Sequence, residues 1–329
     1  MRKTIVEILK NAGTDFISGE SIAGELGISR TAVWKHIQKL RDSGYEIISR
    51  ERRGYNLKDA PDLLLPSEIQ IGLDTKIIAN TTDKMYYYPA VESTNHEAKA
   101  LAYHGAQEGT IIVAEEQSGG KGRLERNFYS PRGKGIWFSV ILRPNFPPYE
   151  ASKFTLMAAV AVAEAMARFN LKAEIKWPND ILFEGRKIVG ILTEMSGEIG
   201  KINYIVIGVG INVNISHEDF PEDIRSVAAS LSEMNGAPIS RVKFFRAVLE
   251  EFDKLYLNVI TSGFDDIINL WRKYNITLGK DIRVITMGDN GESYSGKAVD
   301  LDKTGALIVE TEQGLRTVYA GDVSIRNLK

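Results

Sequence analysis

The residues best suited to chemistry lie in one loop that combines glycines with cations, "EEQSGGKGRLER" at positions 115–126. Glycines let backbone N–H groups turn inward and approach a ligand closely, and the cations add positive charge. The glycines are Gly119, Gly120 and Gly122, and the cations are Lys121, Arg123 and Arg126. The spacing matches neither a Walker A loop nor a G-x-G-x-x-G fingerprint. The loop predicts a site for an oligophosphate, a carboxylate or both, with a flexible surface hairpin as the alternative.

A second candidate is the turn "KWPND" at 176–180. Trp177 offers a flat apolar face, and Pro178 fixes its own φ. Asn179 and Asp180 could hydrogen-bond a sugar or a ring edge, or hold a metal ion. The alternative is a Pro-Asn-Asp turn that simply caps a strand.

Two apolar strands carry residues that packing alone does not require. Lys187 begins one of them, and a lysine pointing inward there would be costly unless it met an anion. The alternative is a lysine at the strand edge that faces water. Gly208 and Gly210 interrupt the other strand, which often marks close approach by a ligand or another backbone. Asn212 beside them could hydrogen-bond that ligand.

The stretch "ESTNHEAK" at 92–99 predicts the start of a helix. Thr94 and Glu97 have the spacing of a capping box. Ser93, Thr94 and Asn95 would also bring hydroxyl and backbone N–H groups to a helix N-terminus, where an anion can bind. The two interpretations are compatible.

The first 60 residues predict three short helices and a β-hairpin with a basic turn. Ser29 is the predicted N-cap of the third helix. This order is typical of a winged helix-turn-helix, with a small helical packing domain as the alternative. DNA contacts are expected from the third helix and the wing, through Ser29, Arg30, Thr31, Lys35, Arg52 and Arg53.

Charge and composition narrow the function further. Residues 1–60 carry a net charge of +3 and residues 61–329 a net charge of −5, so the N-terminal part suits a polyanion better. The absence of cysteine excludes a disulfide framework, a thiolate zinc site and a cysteine nucleophile, and it fits the cytoplasm. The longest apolar stretch, 154–167, is too short for a membrane span, so it predicts a buried helix and no membrane partner.

The rest of the chain predicts an α+β arrangement. A proline-containing linker at 57–68 precedes strands joined by short glycine-containing turns, which indicate antiparallel pairing. The last 50 residues predict the short strands of a small all-β barrel or sandwich. The expected domains are 1–65, 66–276 and 277–329.

Each signal is weak alone, but their order along the chain is specific. "ESTN", "EEQSGGKGR", "KWPND", "RKIVGILTE" and "GVGINVN" in this order resemble the biotin protein ligases. The preceding winged helix and the following β-domain make the whole chain similar to the bifunctional members, which combine a ligase with a biotin-operon repressor. The resemblance implies a biotin/lipoate ligase-like central domain, with a mixed or antiparallel sheet and helices, and a C-terminal SH3-like β-barrel.

The activity implied by the resemblance is an ATP-dependent biotin protein ligase. The biotin carboxylate would attack the α-phosphate of ATP, with Mg²⁺ present, to give biotinyl-5′-AMP and pyrophosphate. A lysine on the biotin carboxyl carrier protein domain of acetyl-CoA carboxylase, or of another biotin-dependent carboxylase, would then accept the biotin and release AMP. As a repressor, the chain would use biotinyl-5′-AMP as corepressor and bind operator DNA as a homodimer.

The resemblance also implies residue roles. The catalytic residues would be Lys187, Arg123 and Asp180, with Asp180 a candidate metal ligand. The biotin-binding residues would be Ser93, Thr94, Asn95, Gln117, Lys121, Gly122, Arg123, Lys187, Gly190, Ile191, Leu192, Gly208 and Gly210. The nucleotide-binding residues would be Lys121, Arg123, Trp177, Asn179, Asp180, Lys187 and Asn212.

The glycine-rich loop departs from the family pattern, which commonly reads G-R-G-R-x-G-R-x-W. Lys121 replaces the first arginine and lacks its bidentate fork, and Phe128 stands where tryptophan is usual. Glu125 replaces a glycine and adds a carboxylate beside the expected phosphate site. We therefore expect a lid that closes less completely and retains the adenylate less well.

The Glu125→Gly variant should release the adenylate several-fold more slowly, because the change removes that carboxylate and restores a permissive backbone. Adenylate dissociation measured in both chains checks this expectation, and equal rates would show that Glu125 does not weaken the lid.

Two competing functions remain compatible with parts of the pattern. A lipoate or octanoyl ligase has a related fold, although "KWPND" together with the loop favours biotin. A non-catalytic, ligand-sensing repressor could keep the pocket, although an intact Lys187 and Asp180 count against it. Biotin-dependent exchange of pyrophosphate into ATP separates the ligase from both.

Overall fold

The computed structural model describes residues 1–123, 126–286, 293–319 and 323–327, so the expectation about Glu125 lies outside the described residues. The chain divides into two compact units, Met1–Gly72 and Leu73–Lys329. Each unit is described by itself below. The finer division at 65/66 and 276/277 stays a prediction.

The first unit contains the predicted three helices and hairpin. Its elements are α1 (Arg2–Asn11), α2 (Gly19–Leu26), α3 (Arg30–Asp42), β1 (Glu46–Arg50), β2 (Gly54–Asp59) and α4 (Pro66–Ile69). Ser29 caps α3 as predicted, because its Oγ accepts a hydrogen bond from the backbone N–H of Ala32 at 3.2 Å. Strand β2 and helix α4 occupy both ends of the predicted linker, which leaves a shorter connection at 60–65.

A seven-stranded sheet forms the centre of the second unit. Its strands are β3 (Met85–Tyr88), β4 (Ile111–Ala114), β5 (Gly135–Leu142), β6 (Glu174–Lys176), β7 (Asp180–Phe183), β8 (Arg186–Glu198) and β9 (Lys201–Asn212). The spatial order is β3-β4-β5-β9-β8-β7-β6. Strands β3 and β4 are parallel and the other neighbours are antiparallel, so the sheet is mixed, as predicted.

Helices pack against this sheet and against one another. They are α5 (Thr94–Tyr103), α6 (Ala151–Arg168), α7 (Glu222–Arg225), α8 (Leu231–Asn235), α9 (Arg241–Ser262) and α10 (Asp265–Tyr274). Helix α6 is the apolar segment singled out in the sequence; it is mostly buried and contacts α9. Within the described residues, no helix has both the length and the apolar character needed to span a membrane.

The last strands form a separate antiparallel sheet within the second unit. They are β10 (Asp281–Thr286), β11 (Ser293–Leu301), β12 (Leu307–Thr311), β13 (Gly314–Val318) and β14 (Val323–Asn327), in the order β13-β12-β11-β10-β14. The turn between β11 and β12 reaches the "KWPND" segment, where Trp177 Nε1 donates to the carbonyl oxygen of Gly305 at 3.1 Å. The fold is therefore α+β, as predicted.

Candidate functional site

Cross-strand pairing brings Gly190, Gly208 and Gly210 together on one face of the central sheet. Gly208 of β9 lies between Ser139 of β5 and Leu192 of β8, and Gly210 lies between Trp137 and Gly190. Directly opposite residues of an antiparallel pair share a face, so these rows form one surface. The glycines leave a shallow floor at the middle of the sheet.

Neighbouring side chains fill the space above these glycines. A Cβ atom on Gly208 would lie 2.1 Å from Asn95 Oδ1, and one on Gly210 would lie 2.5 Å from Phe128 Cε1. Both distances are shorter than real Cβ contacts, so a side chain at either position would have to displace Asn95 or Phe128. The groups that approach these glycines are side chains of the protein itself, so the expected close approach by a ligand or another backbone stays a prediction.

The N-terminus of α5 meets the glycine-rich loop at the edge of this floor. Helix α5 begins after Ser93, and no side chain of a capping box is hydrogen-bonded there, so the predicted Thr94–Glu97 box is wrong. Instead, Gln117 Oε1 accepts from the backbone N–H of Thr94 at 2.8 Å. The loop thus supplies the acceptor that a local cap would otherwise provide.

An inner cavity of about 40 Å³ lies over the floor. Its lining includes every residue predicted to bind biotin except Arg123: Ser93, Thr94, Asn95, Gln117, Lys121, Gly122, Lys187, Gly190, Ile191, Leu192, Gly208 and Gly210. Phe128 and Val209 also line it. The structure therefore brings together residues that are 117 positions apart in sequence.

An outer cavity of about 310 Å³ adjoins the inner one. Its lining includes every residue predicted to bind the nucleotide except Lys121: Arg123, Trp177, Asn179, Asp180, Lys187 and Asn212. Gly122, Phe128, Asn179 and Lys187 line both cavities. These four residues mark the junction between the two spaces.

Lys187 and Asp180 form an ion pair at this junction. Lys187 Nζ lies 2.7 Å from Asp180 Oδ1, and the two side chains are 33% and 26% exposed. The ammonium also lies 5.6 Å from the centre of the Phe128 ring. Lys187 therefore faces the cavities with a carboxylate partner at hand, which removes the cost of an unpaired charge.

The asparagines of the outer cavity have structural partners. Asn179 Nδ2 donates to the carbonyl oxygen of Ile191 at 2.8 Å, while its Oδ1 accepts from Arg123 Nη1 at 3.3 Å. Asn212 Nδ2 donates to the carbonyl oxygen of Ala229 at 3.0 Å. These bonds fix the wall of the outer cavity, and Arg123 connects the glycine-rich loop to it.

Several site residues were missed by sequence reasoning. Phe128 was noted as a departure from the family pattern but was not assigned to the site. An apolar wall of the outer cavity comes from the segment after β9, through Phe220, Ile224, Val227 and Ala228. These side chains carry no chemical signal in the sequence, because apolar residues are equally expected in the core.

The first unit holds a second candidate site, between α3 and the β1–β2 hairpin, which is the wing. Of the residues predicted to contact DNA, Arg30, Thr31 and Arg52 line a groove there. Ser29, Lys35 and Arg53 do not line it. Trp34, which sequence reasoning missed, also lines the groove and is 52% exposed. An exposed tryptophan among cations is typical of an interface.

The wing arginines are organised by an aromatic ring. The guanidinium carbons of Arg50 and Arg53 lie 4.9 and 5.3 Å from the centre of the Phe16 ring. Cation–π contacts of this kind hold the guanidinium groups in place. Arg52 adopts φ of 63°, which turns the chain at the wing tip.

Family models match three segments of the chain. Residues 2–56 match an HTH domain, residues 87–212 match the biotin/lipoate A/B protein ligase family, and residues 277–326 match the biotin protein ligase C terminal domain. The central match runs from within β3 to the end of β9 and includes every residue that lines the inner cavity.

Full-length relatives decide the family. The chain is 42% identical over 326 residues to the bifunctional ligase/repressor BirA of Bacillus spizizenii, covering 99% of this chain and 98% of the relative. The chain belongs to the family of bifunctional ligase/repressors. The Escherichia coli member is 29% identical, with 98% of this chain and 96% of the relative covered.

A solved structure supports the same family assignment. Biotin protein ligase from Aquifex aeolicus in complex with biotin and ATP has a TM-score of 0.63 and 27% identity, over 74% of this chain and 99% of that one. The predicted family, fold class, ligase activity and repressor role are confirmed by these relationships.

Proposed function

We propose that this chain joins biotin to AMP at the junction of the inner and outer cavities and then transfers the biotin to a protein lysine. The observation that carries the proposal is the position of Lys187, which lines both cavities. A cation that reaches both anions would align the carboxylate with the nucleotide phosphate and stabilise the charge that accumulates between them.

Biotin occupies the inner cavity in this proposal. Its cyclic urea lies at the N-terminus of α5, near Thr94 and Gln117, and its carboxylate points to Lys187. The cavity of about 40 Å³ is too small for the whole molecule, and Phe128 lies against the Gly190 and Gly210 positions. Binding therefore requires the Phe128 side chain to move.

ATP occupies the outer cavity, which is about 310 Å³ and has an apolar wall suited to a base. The α-phosphate lies near Lys187, where the ammonium stabilises negative charge that accumulates as the carboxylate attacks. Breaking the Lys187–Asp180 pair frees the ammonium for these anions and leaves Asp180 available to a cation.

Mg²⁺ fits that second role. Asp180 would hold it, together with phosphate oxygens and water, and the ion would neutralise phosphate charge. Among the residues that the structure describes, no group of three or more His, Cys, Asp or Glu side chains could hold a metal ion, which agrees with a site completed by substrate oxygens.

The glycine-rich loop closes over the adenylate in this proposal. Arg123 already bonds to Asn179 across the outer cavity. Closure would exclude water from a mixed anhydride that hydrolyses readily. The acceptor is a lysine of a biotin carboxyl carrier protein domain, which would attack the anhydride and release AMP.

The repressor role uses the same ligand. We propose that biotinyl-5′-AMP orders the loop, that loop order favours a homodimer, and that two winged helices then meet a palindromic operator. The exposed groove with Arg30, Thr31, Trp34 and Arg52 would contact the DNA.

Pyrophosphate exchange tests the catalytic proposal. The full-length chain should incorporate labelled pyrophosphate into ATP when biotin is present, and octanoate or lipoate should not replace biotin. Exchange with octanoate instead of biotin would favour the related ligases. Biotin binding without any exchange would favour a non-catalytic sensor.

The Arg52→Ala change tests the DNA proposal. Affinity for DNA should fall similarly on a selected operator and on a random duplex, because a wing cation contacts phosphates and reads no base. The slope of log affinity against log salt concentration should decrease by about 1. Lys172→Ala, an exposed lysine in the second unit, is the charge-matched control. An unchanged slope would remove Arg52 from the interface.

A further inference from the structure

A buried hydroxyl lies directly behind the end of the inner cavity assigned to the cyclic urea. Ser139, in the middle of β5, is 0% exposed. Its Oγ lies 2.6 Å from Asn95 Oδ1 and 2.8 Å from Thr94 Oγ1. Ser139 does not line the cavity, but both of its partners do.

The orientation of the Asn95 amide is fixed from the other side. Asn95 Nδ2 lies 2.8 Å from Glu194 Oε2 and 3.3 Å from the carbonyl oxygen of Leu192. Glu194 Oε1 accepts from Lys99 Nζ at 2.6 Å, which supports an ionised carboxylate. Since a carboxylate only accepts hydrogen bonds, the Asn95 amide must present Nδ2 to Glu194 and Oδ1 to Ser139.

This orientation determines where the hydroxyl protons lie. Asn95 Oδ1 can only accept, so the Ser139 proton must lie between Ser139 Oγ and Asn95 Oδ1. The Thr94 hydroxyl then has two acceptors within reach, Ser139 Oγ at 2.8 Å and Gln117 Oε1 at 3.1 Å. It donates to Ser139, because two oxygens without a proton between them are less favourable at 2.8 Å than at 3.1 Å, and Gln117 Oε1 already accepts from the backbone N–H of Thr94. The opposite assignment would place two acceptors 2.6 Å apart without a proton between them, which is unfavourable.

We propose that Ser139 and Glu194 are positioning residues that set Thr94 as a hydrogen-bond acceptor towards the inner cavity. With its proton directed to Ser139, Thr94 Oγ1 presents lone pairs to a ligand. A cyclic urea carries N–H donors on its ring, so it matches this acceptor. The inference rests on the proposed placement of the urea near Thr94.

As a consequence, the site should distinguish ligands that present a hydrogen-bond donor to Thr94 from ligands that present an acceptor. A cyclic carbamate analogue of biotin, in which one ring N–H is replaced by oxygen, would set an acceptor against the acceptor of Thr94. A site with fixed polarity rejects such an analogue because the facing polar groups stay unpaired. A freely rotating Thr94 hydroxyl could instead donate to the ring oxygen.

The experiment compares biotin and the cyclic carbamate analogue on the full-length chain, by equilibrium binding without ATP. Ser139→Ala should weaken biotin binding by about tenfold and lower the preference for biotin over the carbamate by at least a similar factor. Glu194→Ala should also lower the preference, because the Asn95 amide can then turn over; its partly exposed side chain makes it the safer variant for folding.

Thr155→Val is the matched control. It removes a largely buried hydroxyl bond, from Thr155 Oγ1 to Thr193 Oγ1 at 2.8 Å, that lies outside both cavities. This variant should keep the parent preference. An unchanged preference in both Ser139→Ala and Glu194→Ala, even with weaker binding of both ligands, would overturn the inference. Failure of the parent chain to bind biotin would overturn the proposed function itself.

Discussion

Replacing Lys187 with alanine should reduce biotin-dependent pyrophosphate exchange by at least about 10²-fold, the usual cost of removing one group that stabilises charge in a transition state. Lys187 lines both cavities, so the change removes the ammonium that would align the biotin carboxylate with the α-phosphate. It also leaves the Asp180 carboxylate without its ion-pair partner at 2.7 Å. Initial exchange rates at saturating ATP and biotin measure the effect.

The matched control is Lys172→Ala. Lys172 is an exposed lysine paired with Glu174, and it lines neither cavity. This variant should exchange at the parent rate. If Lys187→Ala also exchanged within a few-fold of the parent rate, the reaction could not take place at the junction of the cavities.

Adding a single methyl group at Gly208 should weaken biotin binding by about a hundredfold. The new Cβ would lie 2.1 Å from Asn95 Oδ1, so the Asn95 side chain must leave its place. Asn95 lines the inner cavity, where Ser139, Glu194 and the carbonyl oxygen of Leu192 hold it. A displaced Asn95 side chain would occupy space that the proposal gives to biotin, and a penalty of about 3 kcal/mol corresponds to about two decades in affinity. Calorimetric titration of Gly208→Ala with biotin measures the loss.

ATP binding and thermal unfolding provide the controls for this variant. Gly208 does not line the outer cavity, so ATP affinity should stay close to that of the parent chain. A chain that unfolds at the parent temperature, binds ATP and binds biotin with unchanged affinity would show that biotin lies elsewhere than over Gly208.

Much of the architecture could be predicted because each element is indicated by residues that are close together in the sequence. The winged helix follows from helical spacing, a tight turn and a basic hairpin within 60 residues, and Ser29 caps α3 as expected. The hairpin β8–β9 follows from apolar strands around a glycine-containing turn. The family resemblance carried by motifs in a fixed order was enough to predict most of the lining of the inner cavity, but fewer than half of the residues that line the outer one.

The remaining features depend on contacts between distant segments. Thr94 and Glu97 have the spacing of a capping box. The backbone N–H of Thr94 instead donates to the side chain of Gln117, which lies 23 residues after Thr94. Ser139 looks like an ordinary strand residue until the register places it beside Gly208. Contacts between segments that are distant in sequence decide these features, and the spacing of residues within one segment does not reveal them.

The most direct test of the account is biotin transfer by the full-length chain. Incubation with biotin, ATP, Mg²⁺ and a biotin carboxyl carrier protein domain should attach biotin to one lysine of the carrier domain, with AMP and pyrophosphate as products in equal amounts. Omitting ATP or introducing Lys187→Ala should prevent the attachment. A carrier domain that stays unmodified in the presence of the parent chain, or that is modified equally well by Lys187→Ala, would contradict the proposed site.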